Sequence, residues 1–293
     1  MGLAVHNFHD SKKSIPPSFI AGGGFASWLL SIMPYLEETN ALALRNPEMS
    51  FYSSIHPPGA METQVPIFLC PSQRSPPQIG APETRTRNGV SVTRAGSLAD
   101  YAICGGDGTY RDTNGVIQTI PANQSNMRYY QGGPGGAPGA ASDTGITYVI
   151  TGTFPEERLI GYKLFRNFKT IEDGLSHTLL IGEKHIHPDH YGDPNWGDNT
   201  FFNDDFSQSH GRVVGPGFPI ASSPTDPTFD LTGGASTVGR YHYKVFGSAH
   251  AGGICQFVYC DGSVHALTPV ANTTVLGYLA NRYDGHTISD SDL

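Results

Sequence analysis

The sequence predicts an α+β fold, with an N-terminal helix packed on an antiparallel β-sheet and long Gly/Pro-rich loops between the elements. Three observations predict it. Glycine (36) and proline (22) make up about a fifth of the 293 residues, which interrupts helices too often for a mainly helical protein. That share stays below the roughly 25–30% that marks a disordered chain, and 11% aromatic residues can fill a core. Helical spacing appears only in short stretches, whereas apolar runs of strand length bounded by turn residues occupy the second half. No internal repeat is present, and residues 1–293 are read as one globular domain.

The elements follow in order. Leu3, Ala4 and Phe8 fall near helical spacing, so residues 1–13 read as the end of a helix, closed by Ser14-Ile15-Pro16-Pro17. Nothing caps this helix upstream. A second helix is predicted from Ser27 to about Leu44. Ser27 is its N-cap, Leu29, Leu30, Met33 and Leu36 lie on one face, and Pro34 marks a kink or an early stop. Val65 to Pro71 reads as an edge strand or extended segment, residues 72–97 as polar loop, and Asp100–Cys104 as a strand. Residues 105–145 read as a long loop insertion centred on the Gly/Pro run 132–139. A strand is predicted from His177 to Ile186, after the turn Glu172-Asp173-Gly174. Ile254–Cys260 and Ser263–Leu267 form a hairpin about Asp261-Gly262, and Asn272 caps a last helix carrying Val275, Leu276, Leu279 and Ala280.

Composition excludes several function classes. The net charge is −8 and the 18 basic residues are scattered, so no basic face for nucleic acid is expected. No apolar run reaches 18 residues, and Phe25–Leu36 is interrupted by Ser27, Ser31 and Pro34. The first ten residues do not read as a signal peptide.

Candidate chemistry is concentrated between 185 and 205. His185, His187, Asp189 and His190 form an HxHxDH motif after an apolar strand, which resembles the metallo-β-lactamase superfamily. There such residues hold zinc, whose bound hydroxide attacks an acyl or phosphoryl centre. The chain after His190 is short for that superfamily, and His250, Asp261 and His286 are poorly spaced as later ligands; the competing reading is a polar loop. Asp193, Asn195, Asp198, Asp204 and Asp205 offer hard oxygen ligands suited to calcium, although Asp and Asn also simply make turns. No GxSxG nucleophile elbow or phosphate loop is present. Cys70 and Cys104 each end an expected strand and are a candidate disulfide. Cys255 and Cys260 face opposite sides of a regular strand and cannot pair with each other. Tyr129-Tyr130, Trp196 with Phe201-Phe202, and Tyr241 with Tyr243 offer rings for sugar stacking, against the commoner reading of core aromatics.

Taken together, the segments resemble a planctomycete family known as domain of unknown function 1559. Gly2–Asp10 with Ile15-Pro16-Pro17 is similar to the segment after its pilin-like helix. Leu30–Glu37 resembles its "LLPYLEQ" helix, Phe68-Leu69-Cys70-Pro71-Ser72 its "FLCPS", and Asp100-Tyr101-Ala102 its "DYA" strand. Residues 171–185 are close to its "ITDGLSNTLLIGEKH". Phe246–Gly253 with Cys260–Val264 resembles its C-terminal His…Asp-Gly signature. The family usually has nine residues between that His and the Asp-Gly; the ten here, Ala251 to Cys260, predict a β-bulge.

The resemblance implies a pilin-like architecture, akin to type IV pilins and type II secretion pseudopilins. The family's prepilin leader and long apolar helix have no counterpart in this sequence, so a shortened chain is expected, with membrane attachment only through that missing helix. The resemblance further implies export and display at the cell envelope or extracellular surface. Partners would be other pilin-like subunits, secretion-system components or extracellular polysaccharide, and not nucleic acid. The leading expectation is therefore a non-enzymatic filament subunit or pilus-associated binder. The alternatives are a glycan- or solute-binding surface module, and a zinc-dependent hydrolase through residues 185–190. Calcium is the cofactor expected, if any.

Overall fold

The computed structural model describes residues 1–21, 23–111, 116–119, 146–164, 166–203, 209–226, 244–286 and 288. The chain combines short helices with antiparallel and mixed sheets, which makes it α+β. Helix α1 spans Gly2–Lys12 and buries Gly2, Ala4, Val5 and Phe8 along one stripe. Lys13 ends it in the left-handed region (φ 56°), and Ile15 N–H then binds Arg166 O at 2.7 Å, ahead of two prolines.

The helix expected over 27–44 is divided. It becomes α2 (Trp28–Ile32), a single 3₁₀ turn (Met33–Tyr35) and α3 (Thr39–Ala43). Pro34 removes a helical N–H, and Glu37 at φ 61° reverses the chain. Ser27 does not cap with its side chain; its hydroxyl binds Phe201 O instead. The edge strand or extended segment expected over 65–71 is extended at Val65 and Leu69 but, among the described residues, pairs in no strand, and Pro66–Phe68 between them is a 3₁₀ turn, since a proline cannot donate to a sheet ladder.

Strands β1 (Glu83–Arg87) and β2 (Val90–Arg94) pair through an Asn88-Gly89 turn with φ of 50° and 79°. This hairpin lies within the expected loop 72–97. Strand β3 is Tyr101–Gly106. Within the expected loop 105–145, β4 (Thr109–Arg111) pairs with β5 (Ile117–Thr119); residues 112–115 and 120–145 lie outside the described residues. Strands β6 (Ile146–Thr151) and β7 (Arg158–Leu164) form another ribbon. Then come β8 (Leu179–Glu183), β9 (Gly211–Val213), β10 (Cys255–Tyr259), β11 (Val264–Leu267) and α4 (Thr273–Ala280). Asn272 caps α4 by accepting from Thr274 N.

The central sheet runs β11-β10-β8-β3-β9, antiparallel except for β3–β9. Alternation along its strands sends side chains to two cores. Ile103, Ile181 and Val258 face α1 and α2, whereas Ala102, Cys104, Phe257 and Tyr259 face α4. The expected bulge is present as a shift between Val258 and Tyr259, but the extra residue is Leu180 on β8, not one on β10. That shift sends both Leu180 and Ile181 toward the α1 core and turns Gly182 to the other side. A Cβ on Gly182 would lie 2.5 Å from Phe257 and 2.7 Å from Phe246, so the close ring packing requires glycine. Among the described residues, no helix is long and apolar enough to cross a membrane.

Candidate functional site

The end of β8 collects three side chains from distant segments. Glu183 is its last residue and is buried. Cys70 follows the 3₁₀ turn 66–68; its N–H binds Asp100 Oδ2 at 2.8 Å, while Asp100 N–H binds Phe68 O. His250 sits in the loop before β10. Ser248 Oγ donates to Ile254 O at 2.6 Å and accepts from His250 N, which closes that loop on itself. Gly253 (φ 68°) completes the turn where a Cβ would collide with Ser222 O. Gly247 N–H binds Glu183 O and Lys184 N–H binds Asp100 O, so all three segments are tied by backbone to one strand end.

Their reactive atoms converge. Cys70 Sγ donates to Glu183 Oε1 at 3.1 Å, and His250 Nε2 lies 2.9 Å from the same oxygen and 3.7 Å from the sulfur. Glu183 Oε2 accepts from Gln256 N at 2.8 Å. Burial, with the neighbouring Glu183, pushes the Cys70 thiol up to about 11. His250 keeps 32% of its side chain exposed, so the cluster reaches solvent along that ring. A thiol, a carboxylate and an imidazole are the donor types that hold a borderline metal ion.

Beside it lies a buried ion network. Asp198 accepts from Arg74 Nη1 at 2.5 Å and Nη2 at 2.9 Å, from Lys184 Nζ at 3.1 Å and from Gly192 N at 2.8 Å. Arg74 also meets Asp100 at 2.6 Å. Burial pulls the Asp198 carboxyl upward, but Lys184 and Arg74 outweigh it and hold it well below the usual carboxylate range. Burial lowers Lys184 to about 8 despite its carboxylate partner.

The residues singled out from sequence mostly stand elsewhere. The HxHxDH set does not converge. His185 Nε2 lies 3.2 Å from Pro224 O, His187 Nδ1 accepts from Asp189 N, and His190 stacks on Trp196 at 3.8 Å. The calcium set is likewise broken up. Asp193 caps a 3₁₀ turn by accepting from Asn195 N, and Asp198 is consumed by the ion network just described. Asp204 and Asp205 lie outside the described residues. The disulfide is not formed: Cys70 and Cys104 are separate buried thiols, one against Glu183 and the other 3.9 Å from Ala280 O. Cys255 and Cys260 are free as well, in opposite cores. Of the candidate stacking aromatics, Phe201 and Phe202 are core residues, Trp196 is half-buried, and Tyr129, Tyr130, Tyr241 and Tyr243 lie outside the described residues.

Asp261 is separated from His250 by all of β10, five residues or about 17 Å of strand. It accepts from Ser263 N at 2.9 Å and shapes the hairpin turn. Sequence spacing missed the cluster because its members are 113 and 67 residues apart. The available signal was different: Cys70, Glu183 and His250 each sit inside a separate stretch of the family resemblance.

The sequence model of the family described as "Protein of unknown function (DUF1559)" matches residues 1–272, and the chain belongs to that family. No curated protein matches it. No solved structure matches it either.

Proposed function

Taking that family membership as the premise, we propose that the chain is a non-enzymatic, pilin-like protein displayed at the cell envelope or extracellular surface. It would act as a filament subunit or as a pilus-associated binder, with other pilin-like subunits or secretion-system components as partners. The observation that carries this reading is the placement of α1. The N-terminal helix lies on the antiparallel sheet, with Ala4, Val5 and Phe8 buried and Gly2 so close to β10 that a Cβ would lie 2.7 Å from Val258. A helix laid along an antiparallel sheet is the pilin-like arrangement expected from the resemblance.

Immunogold labelling of intact cells carrying the gene tests it, together with blotting of the fraction sheared from their surface. Label on the surface and protein in the sheared fraction are expected. Protein confined to the cytosol overturns the proposal.

A second reading, binding of a glycan or other solute, draws on the solute-binding type of label that the family model carries. Thermal-shift and glycan-array screening of the purified chain tests it. A saturable ligand whose binding is lost in Trp196→Ala would favour this reading over a purely filamentous role.

A further inference from the structure

We propose that Cys70, Glu183 and His250 bind one zinc ion, with the fourth coordination position open to solvent beside His250. The proposal does not depend on surface display. The distances come first. A tetrahedral zinc with bonds of about 2.3 Å to sulfur and about 2.0–2.1 Å to nitrogen and oxygen sets its donors about 3.5 Å (S···N, S···O) and 3.3 Å (N···O) apart. The corresponding separations are 3.7, 3.1 and 2.9 Å. Sub-ångström movements turn the hydrogen-bonded cluster into a ligand set.

The orientation of the imidazole is the second argument. A nucleophile–base–orienter triad uses both ring nitrogens, one for the nucleophile and one for the carboxylate. Here Nε2 faces both Cys70 and Glu183. All three donors aim at one point instead of forming a relay.

The third argument is charge. Glu183 keeps only 2% of its side chain exposed; among the described residues no Lys or Arg reaches it, and its one ion-pair neighbour, His250, carries charge only when protonated. A buried carboxylate is unfavourable unless paired or bound to a metal. A divalent cation at this point supplies the missing charge. Sulfur and nitrogen donors disfavour calcium and magnesium, which take oxygen, and fit zinc.

The protons balance. On binding, the Cys70 S–H proton goes to solvent and leaves a thiolate ligand, Glu183 binds as the carboxylate, and the His250 ring carries its proton on Nδ1 instead of Nε2. Zinc uptake therefore releases one proton per ion.

The test titrates the reduced, chelator-treated chain with zinc against a chromophoric competitor, and in parallel with cobalt. One ion per chain is expected, with a near-ultraviolet thiolate-to-cobalt charge-transfer band. Cys70→Ser should abolish the band. His250→Ala, at a partly exposed position, should fold and weaken zinc binding by on the order of 100-fold or more, beyond the effect of losing an outer hydrogen bond. Calorimetry in buffers of different ionisation enthalpy should report one proton released. The proposal is overturned if no zinc binds at micromolar concentration, if cobalt shows no thiolate band, or if binding survives His250→Ala, as it would at His187 and His190.

Discussion

Replacing Asp198 by Asn tests whether this residue is the anchor of a buried ion network. The substitution keeps size but removes the charge and turns one of the two accepting oxygens into an NH2 donor that faces N–H donors. Asp198 is fully buried, and Arg74 and Lys184 keep only 2% and 1% of their side chains exposed. Arg74 retains Asp100 at 2.6 Å, whereas Lys184 is left with Ser209 O at 3.3 Å. Breaking a buried pair by removing one partner costs about 3–5 kcal/mol. For a chain of this size that lowers the melting temperature by on the order of 10 °C. The loss also depends on pH. Lys184 already has its folded pKa lowered to about 8 by burial, against an ordinary value of 10.5. Between those values the unfolded chain holds a proton that the folded chain has shed, so stability from this group rises with pH across that window. Asp198 raises the Lys184 pKa, so without it the window begins lower. The deficit at pH 7 should therefore shrink by on the order of 1 kcal/mol at pH 9.5, where Lys184 is uncharged in both folded proteins. Urea unfolding of both proteins at the two pH values measures this. A loss below about 1 kcal/mol at pH 7, or a deficit that grows toward pH 9.5, refutes the reasoning. A stability loss seen only when calcium is present would restore the metal role read from sequence.

Three further outcomes are expected. Gly182→Ala should lose about 1–3 kcal/mol of unfolding free energy by urea denaturation, because its methyl meets the Phe257 and Phe246 rings at 2.5 and 2.7 Å; wild-type stability would show that the rings yield. His210 is held to about 3 by burial, so between pH 6.5 and 5 the unfolded chain alone takes up its proton; about 2 kcal/mol of stability should be lost over that fall and be retained in His210→Gln. All four cysteines should react with a thiol reagent after denaturation without reductant, and Cys104, whose thiol burial pushes up to about 12, should stay unreactive in the folded protein; a Cys70–Cys104 bridge in the peptide map would contradict the structure.

What could be read from the sequence was what local physics decides. The strands at 179–183, 255–259 and 264–267 are apolar runs punctuated by Asp-Gly, and α4 begins where Asn272 offers an oxygen to Thr274 N–H. The ribbon β1–β2 escaped because β1 (Glu83–Arg87) carries no apolar residue and β2 offers only Val90 and Val92; Asn88-Gly89 was the hairpin signal. The division of the second helix was half legible in Pro34, but the left-handed Glu37 was not. The HxHxDH histidines show the limit of spacing arguments. Their short separations say nothing about a backbone that turns at Pro188, stacks His190 on Trp196 beside His187 and leaves His185 against Pro224 O. The Cys70, Glu183 and His250 site depends on strand order, which no local pattern contains.

The family-matching stretches around Cys70, Asp100, Glu183 and His250 all meet at one end of β8, and such a meeting can be a folding knot as easily as a site. Two buried carboxylates from neighbouring positions of the fold separate the readings. Asp198 is matched as a structural carboxylate is matched, by a guanidinium, an ammonium and a backbone N–H. Glu183, just as buried, has a thiol, an imidazole and one backbone N–H. A knot needs charge balance from within the chain, and Arg74 and Lys184 show that this fold supplies it where the carboxylate is structural. At Glu183, among the described residues, no Lys or Arg is present; the neighbours are a thiol and the His250 imidazole, two metal-binding donor types with a path to solvent. The zinc proposed for Cys70, Glu183 and His250 would complete at Glu183 the charge that Arg74 and Lys184 complete at Asp198.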